Sequence, residues 1–325
     1  MPDNRPAVMH YGISKPLLDE GVARLFAPVR VPGDVDFAAL SPEAATAIRA
    51  VAAGGGHDPV DARLFDALPN LEIVASFGVG YDHIDAAEAA RRGIIITNTP
   101  DVLTEDVADI ALALLLSTVR QTSKAERFLR AGHWLKGAFP LTGSLRGRSV
   151  GILGLGRIGK AIATRLEAFG VPVSYCGRAR QSDVNYPYYP DITSMAKAVD
   201  TLILAAPGGA STHGLVNHAV LAALGPQGIV INVGRGSVVN EADLAAALQG
   251  GVIAGAGLDV FEHEPAVPAG LLACENAVLL PHVGSASHHT RNAMASLVVA
   301  NLEAWFSGKG PLTPVAETPF VKRVG

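Results

Sequence analysis

Cysteine is nearly absent from this chain of 325 residues: only Cys176 and Cys274 occur. Two thiols cannot build a disulfide framework, and neither stands in a metal-ligand spacing, so a reducing cytoplasm is the compartment expected and no metal site is. The chain also lacks any cluster of lysine and arginine interleaved with aromatics, and its 26 basic residues are outnumbered by 30 acidic ones. That balance argues against a nucleic-acid surface. Long apolar runs are missing too. The longest, Ile110 to Leu116, lies within a helix that begins with acids and ends at Arg120, and falls far short of the roughly 20 residues a membrane span requires, so no membrane partner is expected. The start, Met1 to Pro6, is polar and leads into Ala7-Val8-Met9 without the apolar core of a secretion signal. There is no fixed-period repeat and no low-complexity linker.

What is present is alternation. Short apolar strands are expected near Ala7 to Tyr11, Ile48 to Ala53, Leu71 to Ser76 and Ile94 to Thr97, with helical spacing between them at Pro59 to Ala67 and Ala86 to Arg92. A longer helix is expected from Thr104 to Arg120, started by Thr104 and Asp106. Strands resume at Val150 to Leu153, Val171 to Cys176, Thr201 to Ala206, Ile229 to Val233, Gly255 to Val260 and Ala277 to Leu280, giving six for a second sheet. Alternation of this kind specifies parallel sheets covered by helices, and the length suits two domains. With no flexible linker, one domain nests inside the other, the crossings falling near Asn98 to Pro100 and Ser285 to His289.

The sharpest motif is Gly154-Leu155-Gly156-Arg157-Ile158-Gly159, which runs a buried strand into a helix. Gly154 permits the tight turn, Gly156 lets the backbone approach a pyrophosphate, and Gly159 lets helix and strand pack closely. The free N–H groups of the helix start supply the anion site. An NAD site places an acid about 20 residues beyond the first glycine, for the ribose hydroxyls. Here the chain reads Tyr175-Cys176-Gly177-Arg178-Ala179-Arg180, with no acid and two arginines. Guanidinium groups suit the extra phosphate of NADP, so NADP(H) is expected in preference to NAD(H). The competing reading leaves Arg178 and Arg180 as solvated loop residues.

Three polar stations follow later strands: Asn232-Val233-Gly234-Arg235-Gly236, Asp259-Val260-Phe261-Glu262-His263-Glu264-Pro265 and Pro281-His282-Val283-Gly284-Ser285. Loops at the carboxyl edge of a parallel sheet converge on the cofactor, so an arginine, a carboxylate and a histidine there would meet around one small substrate.

Those stations, the glycine motif, Phe77-Gly78-Val79-Gly80-Tyr81-Asp82-His83-Ile84-Asp85, Thr97-Asn98-Thr99-Pro100-Asp101-Val102-Leu103-Thr104 and Val107-Ala108-Asp109 together carry a resemblance along nearly the whole chain. The chain resembles the D-isomer-specific 2-hydroxyacid dehydrogenases, and within them the NADPH-dependent glyoxylate and hydroxypyruvate reductases. The resemblance implies an α/β fold of two doubly wound parallel-sheet domains. Residues 1–98 plus 288–325 would form a flavodoxin-like substrate domain, and 99–287 an inserted Rossmann domain with a dimerisation arm. It implies NADPH-dependent reduction of a small 2-oxo acid to the 2-hydroxy acid, of D configuration where chiral.

The resemblance makes Arg235 the anchor of the substrate carboxylate and carbonyl, His282 the acid/base and Glu264 its partner. Charge builds on the carbonyl oxygen during hydride transfer, which Arg235 would stabilise and His282 neutralise. Glu264 would fix the histidine tautomer and raise its basicity. Glu262 is the rival carboxylate. The substrate would also use the backbone at Val79 and Gly80, and Ser285, although a plain tight turn competes for the glycine pair. The cofactor would meet Thr104, the six residues of the glycine motif, Arg178, Arg180, Ala206, Pro207, Thr212, Val233, Asp259, His282 and Ser285. The resemblance puts Trp134 in an arm crossing a homodimer interface, either entering the partner's pocket or serving only the interface. His288 and His289 read as a solvated helix start. The other functions open to this pattern are an NAD-preferring dehydrogenase and a cofactor-sensing, corepressor-like interaction protein.

Overall fold

The computed structural model describes residues 5–12, 14–33, 37–55 and 58–320, so the polar start, Met1 to Asn4, lies outside the described residues. The chain forms two units, one of Met1–Leu103 with Ser287–Gly325 and one of Thr104–Ala286.

The first unit runs β1 (Ala7–Tyr11), α1 (Pro16–Leu25), β2 (Ala27–Val31), α2 (Pro42–Ala47), β3 (Ile48–Ala53), α3 (Ala62–Ala67), β4 (Ile73–Ser76), α4 (Ala86–Arg91) and β5 (Ile95–Thr97). Its five strands are parallel in the order β2-β1-β3-β4-β5, the flavodoxin-like order. Strand β2 was not among the expected strands. Its sequence, Ala-Pro-Val-Arg-Val, places Pro28 and Arg30 on exposed positions, and a proline without a donor is tolerated only because β2 is the edge. Inner strand β4 has no exposed face: all four of its residues are buried, as a sheet covered on both sides demands. The last helix, His288–Phe306, packs against α1 and β4.

The second unit comprises α5 (Thr104–Arg120), α6 (Thr122–Arg130), β6 (Val150–Leu153), α7 (Arg157–Ala168), β7 (Val173–Cys176), β8 (Tyr188–Tyr189), α8 (Ile192–Ala196), β9 (Thr201–Leu204), α9 (His218–Leu224), β10 (Ile229–Asn232), α10 (Glu241–Gln249), β11 (Gly255–Leu258), α11 (Ala269–Leu272) and β12 (Ala277–Leu279). All are parallel in the order β12-β11-β10-β9-β6-β7-β8. The sheet therefore has seven strands rather than six. The extra one is a two-residue edge, held where the Tyr188 ring lies 5.3 Å from that of Tyr175 and its hydroxyl donates to Gly177 O at 3.2 Å. So short a segment has no periodicity to reveal it.

Direction reverses beside β6, which pairs with β7 on one side and β9 on the other. Such a switch point opens a crevice at the carboxyl ends of the strands. Its floor is firm, because Ile152, Leu202, Ile203, Val230 and Ile231 are fully buried. Each such side chain contributes about 1.5 to 3 kcal/mol by leaving water.

Short polar side chains start most helices: Ser41, Asp61, Asp85, Asp191, Asn217, Asn240 and Ser287 each accept a backbone N–H of the first turn. By contrast α1 and α7 begin on Lys15 and Gly156, with no side-chain cap.

Candidate active site

Within the second unit the glycine turn follows β6 at the switch point. Gly154 has φ +92, and a Cβ there would lie 2.8 Å from the Ala206 backbone. On Gly159 a Cβ would lie 2.2 Å from Gly154 O, so both positions are closed to larger residues by the protein itself. Gly156 differs, since a Cβ there would meet nothing within 4 Å. Its lack of a side chain serves nothing in the interior. It keeps the start of the 12-residue helix α7 bare, without a side-chain cap, which fits an anionic group resting on the backbone N–H groups. Leu155 is buried, whereas Arg157 is exposed.

The loop after β7 is tied to this turn: Gln181 Nε2 donates to Leu155 O at 2.8 Å, and Gln181 N donates to the Tyr175 hydroxyl at 2.7 Å. Arg178 and Arg180 stand exposed on that loop, Arg180 over the Tyr188 ring at 5.9 Å. The first acid beyond the strand, Asp183, is held by Lys160 Nζ at 2.6 Å, and that lysine lowers its pKa. Nothing in the sequence spacing marked Gln181 or Lys160. On the other side of β6, Ala206 is buried and Thr212 Oγ1 donates to Pro207 O at 2.8 Å, closing the loop after β9.

The three polar stations follow β10, β11 and β12, which are successive neighbours in the sheet. After β10, Asn232 Nδ2 donates to Arg235 O at 2.9 Å and its Oδ1 accepts from Gly234 N at 3.1 Å, so this asparagine shapes the turn carrying Arg235. The Arg235 guanidinium donates to Gly234 O at 2.9 Å. Gly236 lies so close to the next loop that a Cβ would fall 1.9 Å from the Phe261 carbonyl carbon. Val233 is buried beneath the turn.

After β11, Glu264 Oε1 accepts from Phe261 N at 3.0 Å, which leaves Oε2 to meet His282 Nδ1 at 2.6 Å. The Glu264 side chain is 12% exposed and that of His282 42%. Glu262 turns elsewhere: its backbone N–H donates to Glu241 Oε1 at 2.9 Å and its carboxylate stands 3.9 Å from His213. Burial raises the pKa of Glu241.

His282 itself has φ +52, uncommon for a residue with a side chain, and Asp259 explains how it is held. His282 N donates to Asp259 O at 2.9 Å, while the two Asp259 carboxylate oxygens accept from Val283 N and Gly284 N, each at 2.7 Å. Asp259 is 2% exposed and burial raises its pKa despite those donors. Its carboxylate therefore positions the histidine loop. Ser285 is buried behind it, and Thr104 is the first residue of α5.

Val79 and Gly80 belong to the first unit, in the loop after β4. That loop is pinned by Asn98 Nδ2 donating to Val79 O and Thr99 N donating to Gly78 O, both at 2.8 Å. Trp134 lies in the segment after α6, 67% exposed, beside Leu135 at 94%. His288 and His289 are exposed at a helix start. Among the described residues no group of three or more His, Cys, Asp or Glu is arranged to hold a metal, and no helix is long and apolar enough to cross a membrane.

A doubly wound sheet with a bare helix start at its switch point and a histidine–carboxylate pair along the same edge defines a dinucleotide-dependent α/β protein. Residues 112–284 match the family model for the NAD binding domain of D-isomer-specific 2-hydroxyacid dehydrogenases. The hydroxyphenylpyruvate reductase of Plectranthus scutellarioides is 49% identical over 292 residues, 90% of this chain and 92% of that one. The glyoxylate/hydroxypyruvate reductase A of Arabidopsis thaliana is 53% identical over 268 residues, 82% and 85% of the two chains. An NADPH-dependent glyoxylate/hydroxypyruvate reductase from Sinorhizobium meliloti, solved with NADP and malonate, superposes with a TM-score of 0.93 at 54% identity and covers 99% of this chain and 100% of that one. The chain belongs to the D-isomer-specific 2-hydroxyacid dehydrogenase family.

Proposed function

We propose that this protein is a cytoplasmic, NADPH-preferring reductase of small 2-oxo acids such as glyoxylate and hydroxypyruvate, active as a homodimer. One observation carries the chemistry: the Glu264 carboxylate 2.6 Å from His282 Nδ1, in loops that follow β11 and β12, while Arg235 follows the adjacent β10. With Nδ1–H donated to Glu264, the Nε2 face of the ring is left for substrate. When bound, the reduced dinucleotide supplies a hydride to C2 of the 2-oxo acid. Arg235 binds the substrate carboxylate and offsets the charge that grows on the carbonyl oxygen. His282 gives that oxygen a proton from Nε2 and recovers one from solvent, so the product is a hydroxy acid and the ring returns to its starting state. In this reading Val79 and Gly80 contribute backbone N–H groups to binding of the substrate carboxylate, and Ser285 is a substrate residue as well. In this reading residues 99–287 are the cofactor domain, and 1–98 with 288–325 the substrate domain.

The NADPH preference is supported by Gly177, rather than an acid, directly after β7 and by Arg178 and Arg180, exposed on the loop tied to the glycine turn. The relative solved with NADP supports it as well. Thr104, Ala206, Pro207, Thr212, Val233 and Asp259 complete the cofactor surface. The dimer is supported by the arm, where α6 buries none of its side chains and Trp134, Leu135 and Leu141 stand in solvent. Trp134 enters the partner's pocket in this reading.

A panel of glyoxylate, hydroxypyruvate and hydroxyphenylpyruvate, followed by NADPH oxidation and repeated with NADH, tests the function. Reduction of at least one at a kcat/KM higher with NADPH is expected. Failure to reduce any of them ends the reading, and an equal or greater rate with NADH ends the cofactor preference. Light scattering tests the dimer.

A further inference from the structure

Unused by this chemistry are two cations that converge on one buried ring in the first unit. Phe77, 5% exposed, follows β4 and directly precedes the loop of Gly78, Val79 and Gly80. Lys15 Nζ lies 5.8 Å from its ring centroid and the Arg291 guanidinium carbon 5.6 Å. The ring thus locates both charges beside the loop given above to the substrate carboxylate. Two residues of chain reach at most about 7 Å, so the cations stand near that loop on the scale of a short organic acid.

The arrangement is costly to the protein alone. Like charges oppose each other, and burial together with Arg291 lowers the Lys15 pKa. Among the described residues no carboxylate pairs with Lys15. Both cations also sit at helix starts, Lys15 as the residue before α1 and Arg291 in the first turn of His288–Phe306, where positive charge is disfavoured and acids are the rule. A local conflict of this kind, in which Lys15 has the Phe77 ring but no carboxylate against it, is the mark of a group reserved for a ligand.

We propose that Lys15 and Arg291 are specificity-determining residues, a cationic pair that favours 2-oxo acids carrying a second anionic group over singly charged analogues of the same length. The inference rests on the assignment of Val79 and Gly80 to the substrate carboxylate. With one carboxylate engaged by that loop, the pair meets charge at the far end of the substrate. A one-carboxylate substrate such as glyoxylate leaves it unused.

The test is a comparison of matched substrates with the full-length enzyme and NADPH: oxaloacetate against 2-oxobutanoate, and 2-oxoglutarate against 2-oxopentanoate. The wild type is expected to favour the dianion in at least one pair. In Lys15→Gln and Arg291→Gln the ratio of kcat/KM within that pair falls about tenfold, the loss of one partly screened charge-assisted contact, and Lys15→Arg restores it. A structural role would lower both members equally and leave the ratio unchanged, which overturns the proposal. So does a wild type without preference in either pair while glyoxylate is still reduced, and in that case the reductase reading stands. If no 2-oxo acid is reduced, both readings fall together.

Discussion

Replacing Glu264 with glutamine tests the proton-transfer role proposed for the Glu264–His282 pair. Gln keeps an oxygen for Phe261 N, now 3.0 Å from Oε1, so the loop retains its fold. The change falls on the other side, where an amide replaces the oxygen that meets His282 Nδ1 at 2.6 Å. A charge-assisted hydrogen bond contributes about 1.5 to 3 kcal/mol. The carboxylate is 12% exposed but the imidazole 42%, so solvent screening favours the lower half of that range. At about 1.4 kcal/mol per decade, kcat for 2-oxo acid reduction should fall roughly ten- to fortyfold. Dinucleotide affinity should stay within about twofold, since Glu264 meets His282 and Phe261 N rather than the glycine turn. Steady-state NADPH oxidation gives kcat, and quenching of protein fluorescence by NADP gives the affinity. Glu262→Gln is the control, because its carboxylate faces His213. A Glu264→Gln enzyme within twofold of wild type, or an equal loss in Glu262→Gln, refutes the assignment.

Two glycines of the turn should separate folding from binding. Gly159→Ala forces a Cβ to 2.2 Å from Gly154 O and should cost about 1 to 3 kcal/mol in urea unfolding, whereas Gly156→Ala meets open space and should change stability by less than about 0.5 kcal/mol while weakening NADP binding. Equal effects on stability would contradict the packing argument. Removing both Arg178 and Arg180 as serines should lower kcat/KM for NADPH about tenfold or more, with little effect on NADH; parallel losses would make them ordinary surface residues. Glu241→Gln probes a buried charge: burial raises this carboxyl's pKa, so its ionisation costs the folded state stability as pH rises above the ordinary carboxylate range. The variant keeps the acceptor for Glu262 N, and its stability relative to wild type should improve from pH 4 to pH 7; an unchanged difference would refute that sign.

Much of this architecture was legible because parallel sheets write themselves as short apolar runs between helices, and the glycine turn, Arg235, Glu264 and His282 stand where such runs end. Helix α5 begins and ends on the residues expected, Thr104 and Arg120. What escaped has physical reasons. Strand β2 carries an edge proline and an exposed arginine, so it looks like a loop, and β8 is too brief for any pattern. Asp259 also has a task that spacing does not show: its two oxygens hold the backbone of Val283 and Gly284, a use that only the folded loop reveals. The choice between Glu262 and Glu264 could not come from spacing either. It depends on a turn that sends one side chain to His282 and the other to His213.

Gly236 has a broader consequence. Its α-carbon presses on the Phe261–Glu262 peptide with no room for even a methyl group, so the turns bearing Arg235 and Glu264 are locked backbone to backbone into one stiff bracket. Under the proposed assignments, reprogramming which acids this enzyme accepts is therefore work for the segments carrying Lys15 and Val79. Diversifying residues 234–236 or 259–264 would unhinge the bracket before it retuned selectivity.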